Sequence, residues 1–190
     1  MKSEGVMTNQ ALVVIDVING FITQGPLADP SIAKIIGPTV LAIEGALQRN
    51  EPVLAFRDAH EDHALEFDAY PPHCLKGTLE SQLVNELLPY QTRMIDVEKN
   101  TTNGFFAEGF QTFMKDHPEI THYTCVGCCT DICVLQFALS LKTYAQTHDL
   151  PIGVSVIAEA VDTFDLPGHP KETFQAHALA ILKAAGILIR

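Results

Sequence analysis

Basic residues are scarce in this 190-residue chain: 12 Lys and Arg stand against 23 Asp and Glu, a formal charge of −11. No basic run offsets that field, so phosphate backbones and anionic lipid are repelled, and neither nucleic acid nor a membrane surface is an expected partner. No continuous apolar run approaches the roughly 20 residues that span a bilayer. The opening MKSEGVMTNQ has no apolar core of signal-peptide length, so a cytoplasmic chain is expected. No GxGxxG or GxxxxGKS/T follows a candidate strand, which leaves dinucleotide and P-loop readings without their phosphate cradle, and there is no GxSxG elbow. Repeats, linkers and low-complexity tracts are missing too, and one domain over 1–190 is expected. Charged residues make up only 18% of the chain and apolar ones 47%, the balance of a folded globule and not of a disordered chain.

What is there alternates between two periodicities. ALVVIDV (11–17) is an apolar, β-branched run of the kind covered on both faces, and PVLAFRD (52–58), TRMIDV (92–97), THYTCVG (121–127), IGVSVIAEA (152–160) and ILI (187–189) also read as strands. Helical spacing is predicted over 31–49 with a break at Gly37-Pro38, over 79–88, over 106–117, from Thr130-Asp131 onward with those two as N-caps, and over 171–186. The alternation implies an α/β fold: an open, mostly parallel six-stranded sheet with helices on both faces. Residues 59–78 form a connection too long to be ordinary, which marks the stretch as functional.

Open parallel sheets bind ligands beyond the carboxyl ends of their strands. The polar residues there are Asp16, Asp58 with His60, Glu98 with Lys99, the 127–133 turn, and Glu159 with Asp162. Cys133 falls in the first turn of a helix, where unpaired N–H groups and the positive dipole end favour a thiolate and can hold an oxyanion. A buried cysteine is also an ordinary small apolar residue. Zinc binding by Cys125, Cys128, Cys129 and Cys133 fits poorly, since the first pair lies in or beside a strand and no well-spaced second pair follows. Five cysteines, four of them crowded together, do not make a disulfide framework, and reduced thiols are expected. Asp16 ends an apolar strand, a costly place for a carboxylate that is not paired or working.

The strand ending in Asp16 with Phe21 soon after, DAH at 58–60, PPHCLKGT at 71–78, EKNTTNGFF at 98–106 and GCCTDICV at 127–134 together resemble the isochorismatase-like cysteine hydrolases, and within them the nicotinamidases. The resemblance spans nearly the whole chain. It implies a catalytic triad in which Cys133 attacks an amide carbonyl, Asp16 shuttles the proton and Lys99 holds both charges in place. It also implies a cis peptide at Cys128–Cys129, an oxyanion hole from the backbone N–H groups of Cys129 and Cys133, and a thioacyl-enzyme cleaved by water.

The same resemblance implies one divalent metal, zinc ahead of iron or manganese, held by Asp58, His60 and His73. Glu66 is favoured over His63 as fourth ligand. The implied substrate is the small-molecule amide nicotinamide, with Phe21, Tyr70 and, less specifically, Phe106 against its ring. Homo-oligomers are an expectation by analogy with the fold. Cys128 and Cys129 are expected to pack without a regulatory disulfide. The other histidines, His117, His122, His148, His169 and His177, show no grouping and are expected on the surface. Two other readings stand beside this one. One is a relative that cleaves a carbamoyl or ureido C–N bond or an enol ether, with no need of the metal set; the other is a non-catalytic binding module on the same fold.

Overall fold

A computed structural model describes residues 9–190. Six strands form one sheet in the order β3-β2-β1-β4-β5-β6: β1 Gln10–Ile15, β2 Val53–Asp58, β3 Ile95–Lys99, β4 His122–Cys128, β5 Gly153–Asp162 and β6 Leu188–Ile189. Every pairing is parallel, so the sheet depends on helical crossovers for its connections. These are α1 Asn19–Ile22, α2 Ile36–Gln48, α3 Glu108–Asp116, α4 Leu135–Thr147 and α5 Lys171–Ala184.

The two-residue period of β1 sorts its side chains between two cores. Val13 and Ile15 join Phe56, Phe110, Phe137, Leu141 and Leu182 on one face. Leu12 and Val14 join Ile32, Ile35, Ile43, Val53 and Leu87 on the other. Chain order runs outward from β1 to β3, then returns to place β4 against the free side of β1. That reversal is the topological switch point at which such sheets leave a crevice, and Asp16 lies beside it.

Several boundaries differ from the sequence reading, each for a local reason. β1 stops at Ile15 because Asp16 adopts φ 52, outside strand geometry. The 31–49 helix is a 3₁₀ segment, Pro30–Ile35, running into α2; Pro38 falls in the first turn, where its missing N–H costs nothing. No helix spans 79–88, because Glu80 and Gln82 spend their carbonyls on the N–H groups of Gly20 and Asn19, both at 2.9 Å. A 3₁₀ helix instead covers Asn85–Arg93 around Pro89, which delays β3 to residue 95. Pro30–Gln48 is long and apolar enough by length and composition to cross a membrane, although no continuous apolar run marks it in the sequence; its Ile32, Ile35, Ile43 and Ala46 are buried in the core. Gly186, at φ 79, follows α5 as the left-handed residue that closes a helix.

Candidate active site

Three adjacent strands deliver the first charged groups. The parallel register sets Asp58 at the end of β2 directly beside Lys99 at the end of β3, and Asp16 leaves β1 next to them. All three are buried. Asp16 Oδ1 accepts the Asp58 N–H at 3.0 Å. The Lys99 ammonium lies 2.8 Å from Asp16 Oδ2, donates to Thr101 O at 3.2 Å and forms a short ion pair with Asp58 Oδ1. The contact with Asp16 Oδ2 is an ion pair between two fully buried side chains. Asp16 holds a left-handed backbone, a conformation that costs a non-glycine residue about 1–2 kcal/mol.

Cys133 enters from the other side of β1. A π-turn over Thr130–Val134 precedes α4. The Cys129 carbonyl accepts from Ile132 N–H and Val134 N–H, both at 3.1 Å, and passes over the Cys133 N–H between them. Cys129 is the N-cap and no side chain caps the helix, so the expected capping by Thr130 and Asp131 does not occur. The Cys128–Cys129 peptide is cis. Gly127, at φ 116, crosses β1 so closely that a Cβ would lie 2.7 Å from the Ile15 carbonyl carbon; only glycine fits there. The Cys133 thiol and the Asp16 carboxyl are close enough for each to influence the other's titration.

Electrostatics divide the protons among these groups. Burial raises the Asp16 carboxyl to about 7 against the pull of Lys99. Burial also works on Asp58, but Lys99 and His60 outweigh it and hold that carboxyl below its ordinary value. Burial opposes the Lys99 ammonium, yet the two carboxylates keep it charged, well above the usual lysine value. For Cys133, burial pushes the thiol well up, Lys99 opposes, and Asp16 and Asp58 add to the rise. The sequence reading expected an easily formed thiolate at this helix start; the structure instead pairs a thiol with a base of nearly neutral pKa.

Asp58 also faces a second set of groups. Its Oδ2 lies 3.6 Å from His60 Nε2 and 3.9 Å from His73 Nε2, and Glu66 Oε1 lies 3.7 and 3.8 Å from the same two nitrogens. One ligand atom from each of the four residues lies within 4.8 Å of the others. Four ligands about 2.1 Å from a tetrahedral ion sit roughly 3.4 Å apart, so the set needs only a small contraction to hold one. Asp58 Oδ2 and His60 Nε2 are buried without hydrogen-bond partners among the described residues, an arrangement that a cation relieves. The outer shell turns the ligand atoms inward: His60 Nδ1 meets Asn100 Oδ1 at 3.3 Å, His73 Nδ1 meets Pro71 O at 2.9 Å, and Glu66 Oε2 accepts the Thr102 N–H at 2.7 Å. The long 59–78 connection closes on itself through a parallel bridge between His60 and Leu75, with His60 N–H on Cys74 O at 3.0 Å. These residues make a candidate divalent metal site.

A cavity of about 560 Å³ opens over both sets, lined by Cys133, Cys129, Asp58, Glu66, His73, Phe21 and Tyr70. His63 is exposed and outside the ligand set. Phe106 is 69% exposed and stacks edge-on with Phe105, away from the cavity. Glu98 lies on the surface with Lys76 and Arg57, and Asp162 is buried between Lys34 and Lys171. Asn100 and Thr102 were missed, though their place directly after Lys99 is the signal that could have found them. His122 and His169 are half-buried. His122 bonds Ser155 at 2.9 Å, and His169 is stacked between Phe164 and Phe174. A second cavity, about 570 Å³ near Lys115, His117 and Tyr144, carries none of these groups.

Comparison with known proteins agrees with this geometry. Residues 10–187 match the isochorismatase domain. The chain is 33% identical to nicotinamidase 1 of Arabidopsis thaliana over 196 residues, covering 93% of this chain and 80% of that protein. It shares its fold with the pyrazinamidase/nicotinamidase of Streptococcus mutans, with TM-score 0.82, 21% identity, and 95% and 99% of the two chains covered. The pyrazinamidase of Pyrococcus horikoshii in complex with zinc gives TM-score 0.77, 22% identity, and 96% and 99% coverage. With a sheet of this order, a cysteine turn at its switch point and a domain match over nearly its full length, the chain belongs to the isochorismatase family.

Proposed function

We propose that this protein is an amidohydrolase that converts nicotinamide to nicotinate and ammonia. The observation that carries the reading is Asp58: one oxygen pairs with Lys99 of the nucleophile's charge cluster and the other faces His60 and His73. A carboxamide at Cys133 and a ring nitrogen at the ligand set then fall within one cavity. The 33% identity to an Arabidopsis protein named nicotinamidase supports the same substrate.

In this reading the Cys133 thiol gives its proton to Asp16 as sulfur attacks the amide carbon, so charge need not be stored on a buried sulfur beforehand. The N–H groups of Cys129 and Cys133 receive the developing oxyanion. Asp16 returns the proton to the departing ammonia, then takes one from the water that cleaves the thioacyl-enzyme. Lys99 stays charged throughout and keeps Asp16 beside the sulfur. Phe21 and Tyr70 wall the aromatic ring. Asp58, His60, Glu66 and His73 would hold a divalent metal, with zinc first among candidates, which would supply Lewis acidity beside the substrate ring. In this reading the protein recycles an NAD breakdown product and works in the cytoplasm, a location that its five free cysteines support.

The test is ammonia release from nicotinamide by purified protein before and after chelation, with Cys133→Ala as control. Release that needs both metal and Cys133 supports the reading. No release from metal-replete protein whose Cys133 still alkylates refutes nicotinamide and moves the substrate to another C–N or ether bond.

A further inference from the structure

The cavity is far larger than the substrate just assigned to it. Nicotinamide has nine non-hydrogen atoms and fills on the order of 150 Å³ at interior packing density, against about 560 Å³ in the cavity. Besides the residues around Cys133 and the ligand set, the cavity is lined by Leu27 and Ala28 on one segment and by Phe164 and Leu166 on another.

These walls are built and braced. Asp29 ties the two segments together, its Oδ2 accepting the Asp165 N–H at 3.0 Å and its Oδ1 the Ser31 N–H at 2.8 Å. Lys171 adds a second tie through Ser31 Oγ at 2.5 Å and Asp162 at 2.7 Å. Leu166 and His169 exchange backbone hydrogen bonds of 3.2 and 2.8 Å. The His169 ring lies 3.9 Å from Phe164 and 3.7 Å from Phe174, with Nε2 at 2.7 Å from Asp131 in the nucleophile's own turn. A wall so fixed is preorganised for a ligand.

Its chemistry is equally restricted. Among the described residues no Lys or Arg lines the cavity, so no cationic side chain there recognises an anion, and both Asp29 oxygens are already engaged. Leu166 remains 59% exposed although its backbone is held, an apolar surface that a ligand can cover.

We propose that the outer part of this cavity is a second subsite, which admits aromatic carboxamides bearing an uncharged apolar ring substituent and favours them over the unsubstituted amide. The proposal rests on the carboxamide reading above. It makes the surplus room part of specificity, with Leu27, Phe164 and Leu166 as the contacts.

The experiment measures kcat/KM of metal-loaded enzyme for nicotinamide and for nicotinamides carrying methyl, propyl or carboxylate groups at ring carbons 4, 5 and 6. Burying one methylene is worth about fourfold. A propyl group at the carbon facing the subsite, partly covered at the mouth, raises kcat/KM about tenfold, mainly through KM, while a carboxylate at that carbon lowers it. Leu166→Asp and, independently, Ala28→Phe collapse the propyl-to-hydrogen ratio toward one. Hydrolysis of nicotinamide with every alkylated amide slower overturns the subsite and leaves the proposed reaction standing. A preference that survives both variants overturns its placement at these walls. No hydrolysis of any amide by metal-replete enzyme overturns the carboxamide reading itself, and this inference with it.

Discussion

Replacing Lys99 with methionine keeps the length of the side chain and removes one charge from a fully buried cluster. The ammonium spends its donors on Asp58 Oδ1, on Thr101 O at 3.2 Å and on an ion pair with Asp16 Oδ2 at 2.8 Å. Its side chain is fully buried, as are those of both carboxylates. Removing one partner of such a cluster costs about 3–5 kcal/mol, because the remaining charges stay buried. With a urea m-value near 2 kcal/mol/M, the unfolding midpoint of Lys99→Met falls by about 1.5–2.5 M. Ammonia release falls by roughly 10²–10⁴, since Asp16 is no longer held as a usable base. Urea titration at pH 8, above the value near 7 that Asp16 has while Lys99 is present, reads the stability. Adding Asp16→Asn to the same chain removes one of the stranded charges, so the double variant is at least about 1 kcal/mol more stable than the two single costs predict. A midpoint shift below about 0.3 M, or single costs that add within about 0.5 kcal/mol, would refute the claim that these charges form one unit.

Three further outcomes follow from the geometry. Metal analysis of purified protein will give one divalent ion per chain; His63→Ala keeps that stoichiometry, His73→Ala loses it, and retention by His73→Ala counts against the ligand set. Asn100→Ala, which frees His60 Nδ1 and the Glu61 N–H, weakens metal affinity about 10–100-fold in a chelator competition without changing the far-ultraviolet spectrum; unchanged affinity shows that Asn100 does not orient the ligand. The rate of Cys133 alkylation by iodoacetamide keeps climbing above pH 9, because burial and the flanking carboxylates lift the thiol and less thiolate exists at any given pH; a plateau below pH 7 contradicts that electrostatic account.

Periodicity and composition carried most of the fold. Buried parallel strands are continuous β-branched runs, and residues 11–15 and 53–58 announce themselves that way. Residues 79–88 misled because an apolar spacing close to helical says nothing about where the carbonyls go, and here they pair with the segment around α1. In the site, the residue types at the strand ends were legible one by one. The double engagement of Asp58 was not, since it depends on the register between β2 and β3. Phe106 was misplaced because Phe105, its neighbour, takes the buried position and turns it to solvent. His169 looked like a surface residue because its partners, Asp131, Phe164 and Phe174, come from three separate elements that meet only in the folded chain.

The carboxylate shared between the two halves of the site sets how such a chain can change over generations. His60, Glu66 and His73 serve the cation set, and each could be exchanged singly while Lys99 and Asp16 keep their pairing. Asp58 has no such freedom: its loss removes one of the four candidate ligands and at once unbalances the buried lysine. A descendant that gives up the metal is therefore expected to keep an acid at this position long after the histidines are gone, as the remaining trace of a function it no longer performs.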